Sequence, residues 1–325
     1  MFVVAGESLI DLVSEPRKPG GPVRMQAHPG GSPYNCAIAL ARLGAPSGFL
    51  CPISTDGFGD LLLDPLSAAG VTPLLGLRTA APTTLAVVTL NEKRQAQYQF
   101  YREGTADHDF TRETLMAGLP ARITDFQIGG FCPILPRDAA IWLDIAAEAA
   151  RRGALISIDP NIRPSLVADF PAYRARLEKF LDIAHLVKLS DEDLRHLDPG
   201  LSIEDHAAAL LARPNCRLVV VTLGEKGSRA FTRTAAADAG IYRPEKFGDT
   251  VGAGDCLMAG ILAALAGRNA LTPGALAALD AEALAAVLRF GAVTAGLNCA
   301  VTGCHPPSRA EVEAVLSLPL VGSEA

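Results

Sequence analysis

From residue 126 onward the sequence alternates between short apolar runs and longer amphipathic ones. No other feature constrains the fold as tightly. The apolar runs at 126–130, 154–158, 185–189 and 217–223, the last reading RLVVVTL, have strand length and no polar face. Between them, 137–152, 171–183 and 203–212 carry helical spacing. Strands buried on both faces and separated by helices predict a mostly parallel sheet between helical layers, an α/β fold. Helices are expected again at 255–267, 282–299 and 309–316.

The first third follows this rhythm less regularly. Residues 2–6 read as a first strand, 9–12 continue apolar with Asp11 embedded, and 49–53 read as another strand. PYNCAIALARLG (33–44) places Ala37, Leu40, Ala41 and Leu43 on one helical side and stops at Gly44, and 58–69 is a helix ended by Gly70. Two stretches do not belong to a buried sheet. Residues 14–30, polar and rich in Pro and Gly, predict turns or a small hairpin. Residues 85–90 and 97–101, separated by the polar NEKRQA, predict a hairpin whose second strand has one polar face.

Composition narrows the function. An apolar fraction of 49% over 325 residues suffices for a sizeable core. A net charge of −6 argues against a nucleic-acid partner. Seven cysteines (36, 51, 132, 216, 256, 299, 304) are scattered without a CxxC pair, the pattern of reduced cytoplasmic thiols rather than of disulfides or a zinc site. Cys256 reads as a small buried residue. The N-terminus lacks the basic segment of a signal peptide, and no apolar run is long enough to cross a membrane.

Two glycine-bearing turns remain as candidate sites. There is no Gly-Lys dipeptide and hence no P-loop, and a lone Gly6 after the first strand is no dinucleotide fingerprint. In FGDTVGAGDCLMAGIL (247–262), Gly252, Ala253 and Gly254 run into Asp255 and then into an apolar helical pattern. Backbone N–H groups at a helix N-terminus favour an anion, and a carboxylate beside that anion suits a base acting on whatever attacks it. Asp255 could equally be a plain N-cap. In the second turn, Gly30-Gly31-Ser32-Pro33-Tyr34-Asn35, two glycines admit a ligand to the backbone and Asn35 offers both donor and acceptor to a polyol. The alternative is a helix start with Ser32 as cap and Pro33 at the first helical position.

Together these turns resemble the two signatures of the PfkB (ribokinase-like) carbohydrate kinases: GGSPYNCAIALARLG at 30–44 and DTVGAGDCLMAGIL at 249–262. GESLIDL (6–12), FYREGTAD (100–107), DPNIRP (159–164), VKLSDEDL (187–194), VTLGEKGS (221–228) and NCAVTGCHPPSRAEV (298–312) resemble the fructokinase branch. The resemblance implies a single kinase domain over 1–325 and a three-layer α/β/α sandwich with a small β-sheet lid from about 12–29 and 82–105; the alternating pattern of the lid's exposed strands predicts a homodimer through that lid. The resemblance also implies ATP-dependent phosphorylation of a hexose primary hydroxyl, D-fructose first, with 2-keto-3-deoxygluconate and ribose as alternatives and a non-catalytic sugar-binding regulator further off. Asp255 would be the general base, and the amides of Gly252, Ala253 and Gly254 the anion hole. Asp11, Gly31, Ser32, Asn35, Arg102, Asn161 and Arg163 would meet the sugar. For Arg102 a solvated hairpin arginine is an equal alternative, and Asn161 has a bland reading as a turn former. Lys188, Thr222, Gly224, Gly227 and Asn298 would line the ATP site, with Lys188 near the phosphates and Asn298 near the adenine. Magnesium would accompany ATP, with Asp193, shorter than the family's usual Glu, or Glu192 as its protein contact. Potassium, used by some relatives, would lie near Asp249.

Overall fold

The computed structural model describes residues 1–14, 21–90 and 96–317. The turn expected inside 14–30 falls partly at 15–20, and the polar connection after residue 90 falls at 91–95. Both lie outside the described residues. In chain order the strands are β1 (Phe2–Ala5), β2 (Leu9–Ser14), β3 (Met25–Gly30), β4 (Ser47–Leu50), β5 (Thr72–Pro73), β6 (Thr84–Leu90), β7 (Ala96–Tyr101), β8 (Asp125–Gly129), β9 (Leu155–Asp159), β10 (Leu186–Ser190), β11 (Leu218–Thr222), β12 (Ser228–Phe231) and β13 (Ala236–Ala239). The helices are α1 (Ser32–Arg42), α2 (Gly57–Ala69), α3 (Arg112–Gly118), α4 (Pro136–Arg151), α5 (Phe170–Ile183), α6 (Asp191–Leu197), α7 (Ile203–Leu211), α8 (Ala253–Gly267), α9 (Pro273–Ala277), α10 (Ala281–Asn298) and α11 (Arg309–Leu316).

Nine strands form one sheet in the order β13-β12-β11-β10-β9-β8-β1-β4-β5. Every pairing from β11 to β5 is parallel, and β12 and β13 close one edge as antiparallel strands. Side chains alternate between the two faces. Leu155, Leu186 and Val220 join α1, α8 and α10 in one core, while Ile156, Val187, Val219 and Val221 join α4 and α5 in the other. The strands were legible because both faces are covered, so few polar positions interrupt them.

The ends of β1, β8, β9, β10 and β11 come out on the same edge, where ligands of open α/β sheets gather. A second sheet of four strands, β3-β2-β6-β7, sits there, with β2 following β1 after three residues. Pairs β2–β3 and β6–β7 are antiparallel and β2–β6 is parallel. Its first strand begins at Leu9, earlier than the expected boundary at 12, so Asp11 belongs to this small sheet. No helix of the described residues is long and apolar enough to cross a membrane.

Candidate active site

The site is built on the first turn of α8. Its N-cap is Gly252, in a left-handed conformation (φ 72°, ψ 3°) that a side chain would strain, and a Cβ there would lie 2.4 Å from Cys304 Sγ. A glycine cap has no side chain with which to satisfy the free amides. The amide of Ala253 donates to the Thr250 carbonyl at 3.1 Å, and the first bond of the helical ladder is Cys256 N–H to the Gly252 carbonyl. Ala253 is therefore turned into the chain, and the expected anion hole is left to the neighbouring amides of Gly252 and Gly254, which precede the ladder.

Asp255 is not the cap. It stands three positions past Gly252, buried, and its carboxylate is held by residues more than 200 positions away. Oδ1 accepts from Ser32 Oγ at 2.6 Å and Oδ2 from Asn35 Nδ2 at 2.8 Å. The two signature turns, far apart in sequence, thus meet through these hydrogen bonds. The cap of α1 is Gly31 (φ 113°), not Ser32, and its tight approach leaves a Cβ only 2.8 Å from the Glu7 carbonyl. Ser32 is free of capping duty and turns to Asp255. Burial raises the Asp255 carboxyl above its ordinary value, opposed by the two hydrogen bonds and by the charges of Lys188 and Arg163.

Asp11 and Arg163 act on the same space. Burial pushes Asp11 up to about 6, Arg163 pulls it down and Asp255 pushes it further up. Arg163 is itself exposed, after the β9 turn. Asn161 shapes that turn: it sits at φ 44°, and its carbonyl accepts from Arg163 Nη1 at 3.4 Å. Arg102 is not a solvated hairpin residue. Its side chain is 11% exposed, stacked over Phe131 with the guanidinium 4.4 Å from the ring centroid, and 3.5 Å from Asp107. Its Nε and Nη2 are buried without a hydrogen-bond partner, Nη2 being the atom in the longer ion pair with Asp107.

A cavity of about 630 Å³ opens on the other side of the α8 turn, lined by Thr222, Gly224 and Gly227 at the β11 end, by Ala253 and Gly254, and by Gly296 of α10. Its rim also includes Tyr242 and Phe247, which the sequence reading did not single out. A Cβ on Gly296 would meet the Tyr242 carbonyl at 2.2 Å, so that glycine lets the segment after β13 fold over the cavity.

The family description "pfkB family carbohydrate kinase" matches residues 1–311. The chain belongs to the pfkB family of carbohydrate kinases. It is 36% identical to a fructokinase of Rhizobium leguminosarum bv. trifolii over 87% of this chain and 85% of that protein, and 32% identical to fructokinase-2 of Solanum lycopersicum over 98% and 96%. The structure of a Xylella fastidiosa fructokinase with bound ATP aligns with a TM-score of 0.87 at 30% identity, covering 97% of each chain. A Vibrio cholerae fructokinase bound to fructose, ADP and calcium shares the fold, with a TM-score of 0.78 at 24% identity over 97% of this chain and 98% of that one.

The chain is thus a sugar kinase, and this family implies ATP and a divalent metal as its partners. Several sites expected from the sequence take on other duties in this kinase. Both oxygens of Asp193 are engaged by protein donors: Oδ1 accepts from Ile162 N–H at 2.7 Å, and Oδ2 from the amide and hydroxyl of Ser190 at 2.8 and 2.7 Å. Glu192 points outward. Among the described residues no three His, Cys, Asp or Glu side chains come together as a metal site. The residues present do not form a direct protein cage for a divalent ion. Asp249 links two loops, accepting from Val251 N–H and Gly303 N–H at 2.9 Å each. Asn298 is fully buried and bonded to backbone at both ends, giving to Val251 O at 2.7 Å and accepting from His305 N–H at 2.7 Å. It clamps the approach to the α8 turn and does not line the 630 Å³ cavity. The sequence signal at Asn298, an amide among small apolar residues, was right that a partner is needed, but the partner is backbone.

Proposed function

We propose that this kinase transfers the γ-phosphoryl group of ATP to the primary hydroxyl of a hexose, D-fructose to fructose 6-phosphate. The observation that carries the reading is the placement of Asp255. A buried carboxylate of raised basicity stands in the turn that binds the anion, held by Ser32 and Asn35, with Asp11 and Arg163 acting on the same space.

In this mechanism Asp11, the Gly31 turn and Arg163 orient the sugar, and Arg102, just after β7, offers its guanidinium. Asp255 takes the proton of the attacking hydroxyl as it adds to phosphorus. The amides of Gly252 and Gly254, aided by the α8 dipole, hold the charge that moves with the phosphoryl group. Lys188 adds a positive charge beside that turn. Thr222, Gly224 and Gly227 line the nucleotide cavity. Magnesium, the divalent ion we propose, would neutralise phosphate charge and would be held through the phosphates and water, because both Asp193 oxygens are engaged by Ile162 and Ser190. Potassium near Asp249 belongs to the same proposal, because that carboxylate holds together the two loops that would supply carbonyl oxygens. The four-stranded sheet serves as a lid that excludes water, and its partly exposed Val13, Met25 and Tyr101 suit a homodimer in the cytoplasm.

The test is ADP release measured against a panel of fructose, 2-keto-3-deoxygluconate, ribose and glucose. Fructose is expected to give the highest kcat/KM. Preference for 2-keto-3-deoxygluconate would assign Arg102 and Arg163 to a substrate carboxylate, and no sugar-dependent release from folded protein would leave a binding function only.

A further inference from the structure

Lys188 and Asp159 form a buried ion pair whose position relative to the α8 turn has a mechanistic use. The pair arises from sheet register. Leu186 on β10 pairs with Ser157 on β9 and Val187 with Ile158, so the next positions along, Lys188 and Asp159, are neighbours. Lys188 shares strand parity with Leu186, which packs in the core of α1 and α8, so both side chains project toward α8. Lys188 Nζ donates to Asp159 Oδ2 at 2.6 Å, and the two residues are 5% and 2% exposed. A Cβ on Gly254 would lie 3.1 Å from Lys188 Nζ, which puts the ammonium against the anion-binding turn.

An isolated ammonium at such depth would lose its hydration and with it its charge. Burial does pull the Lys188 ammonium toward neutrality, but the charge and hydrogen bond of Asp159, together with Asp255 and Asp193, outweigh it and hold Lys188 above its ordinary value. Asp159 is in turn pushed up by burial and drawn back mainly by Lys188. Its second oxygen, Oδ1, is buried with no protein donor, so Lys188 is the group that offsets its charge.

We propose that Asp159 is a positioning residue for phosphoryl transfer. Its carboxylate keeps the Lys188 ammonium charged and fixed against Gly254, so that the positive charge is in place before the phosphoryl group arrives. Preorganised charge of this kind needs no rearrangement in the transition state. This rests on the kinase reading above, in which the α8 turn holds the moving phosphoryl group.

The test is a double-mutant cycle on K188M and D159N, read as kcat, KM for ATP and sugar, and the sugar Kd by calorimetry. K188M is expected to lower kcat roughly 100-fold, as loss of one preorganised donor does. D159N should lower it by at least tenfold, with sugar Kd unchanged in both. The cycle decides between a positioning role and a merely structural one. If Asp159 acts through Lys188, D159N/K188M matches K188M within about threefold. A further tenfold loss on adding D159N to K188M would overturn the proposal, as would a K188M enzyme with wild-type kcat. In the latter case the kinase reading itself stands, because turnover remains. D159N alone leaves a buried unpaired charge and could fail to fold. The comparison of K188M/D159N with K188M then still decides, since the double variant buries neither charge.

Discussion

Of the three helices with a buried aspartate three residues past the N-cap, at Asp138 in α4, Asp193 in α6 and Asp255 in α8, the last two form a pair with contrasting caps. Their fates differ because their caps differ. Ser190 caps α6 with its hydroxyl, and Asp193 reaches back to Ser190 in a reciprocal capping box while its other oxygen anchors Ile162 of the β9 turn. Every interaction there is local or structural. Gly252 caps α8 and has no hydroxyl, so Asp255 has nothing to reciprocate with. Its partners come from α1, across the domain, and the amides of Gly252 and Gly254 precede the helical ladder. The same helix position is therefore held locally in α6 and by a distant helix in α8.

The largest expected effect separates the two aspartates directly. Asp255→Asn should lower kcat by about 10²–10⁴-fold, the range for loss of a general base, with sugar Kd nearly unchanged in calorimetry. Near-wild-type turnover would place Asp255 with Asp193 as a structural residue. Next, Gly252→Ala puts a Cβ at a left-handed position 2.4 Å from Cys304 Sγ, and should cost roughly tenfold or more in kcat with a lowered melting temperature. Ser32→Ala removes one hydrogen bond to the carboxylate, worth about 1.5–3 kcal/mol, so a loss of roughly ten- to hundredfold in kcat/KM is expected with little change in melting temperature. Ser190→Ala is the counterpart in α6. It should cost about 1 kcal/mol of stability, a few degrees of melting temperature, and leave kcat within twofold. If Ser32→Ala destabilised and Ser190→Ala slowed turnover, the contrast would be reversed.

The smallest effect is on pH. Burial raises the Asp255 carboxyl, so with Asp255 as the proposed base kcat/KM should fall on acidification at a higher pH than an ordinary carboxylate near 3.8 would give. Stability runs the other way for a group of this kind. Asp125 is buried in β8 and pushed up to about 8 by burial, with Ser157 opposing. Its folded value lies above its unfolded one, so its contribution is full below about 4 and is lost as pH rises through 8. The melting temperature should therefore decline between about pH 4 and pH 8 and level off above that. Asp125→Asn should flatten that decline without touching kcat. An unchanged slope would mean that Asp125 is not the titrating group.

The parts of this fold that could be read in the sequence are those with long, regular patterns. The helices expected at 137–152 and 282–299 appear as α4 and α10, each shifted by one residue. Short elements were not legible. SRAF and AADA, the strands β12 and β13, have few β-branched residues and take their conformation from pairing with β11. The strand expected at 49–53 begins instead at Ser47, because β1 fixes its register from Phe2 onward. The parallel pairing of β2 with β6 joins segments some 75 residues apart, beyond the reach of local patterning.

At the site, local chemistry was visible and its partners were not. The residue types of GGSPYN and GAGD, their order and the absence of a P-loop were enough to bring an anion site, a base and a polyol site into one reading. Backbone preference and side-chain chemistry are properties of a few consecutive residues, so sequence alone carries them. Which carboxylate is held by the side chains of a distant helix and which by its own cap and backbone is a matter of three-dimensional neighbours. Only the folded chain brings Ser32 and Asn35 to Asp255, sets Lys188 beside Asp159, and commits Asp193 and Asn298 to backbone. Each of those contacts joins segments that share a cavity or a sheet register rather than a stretch of chain.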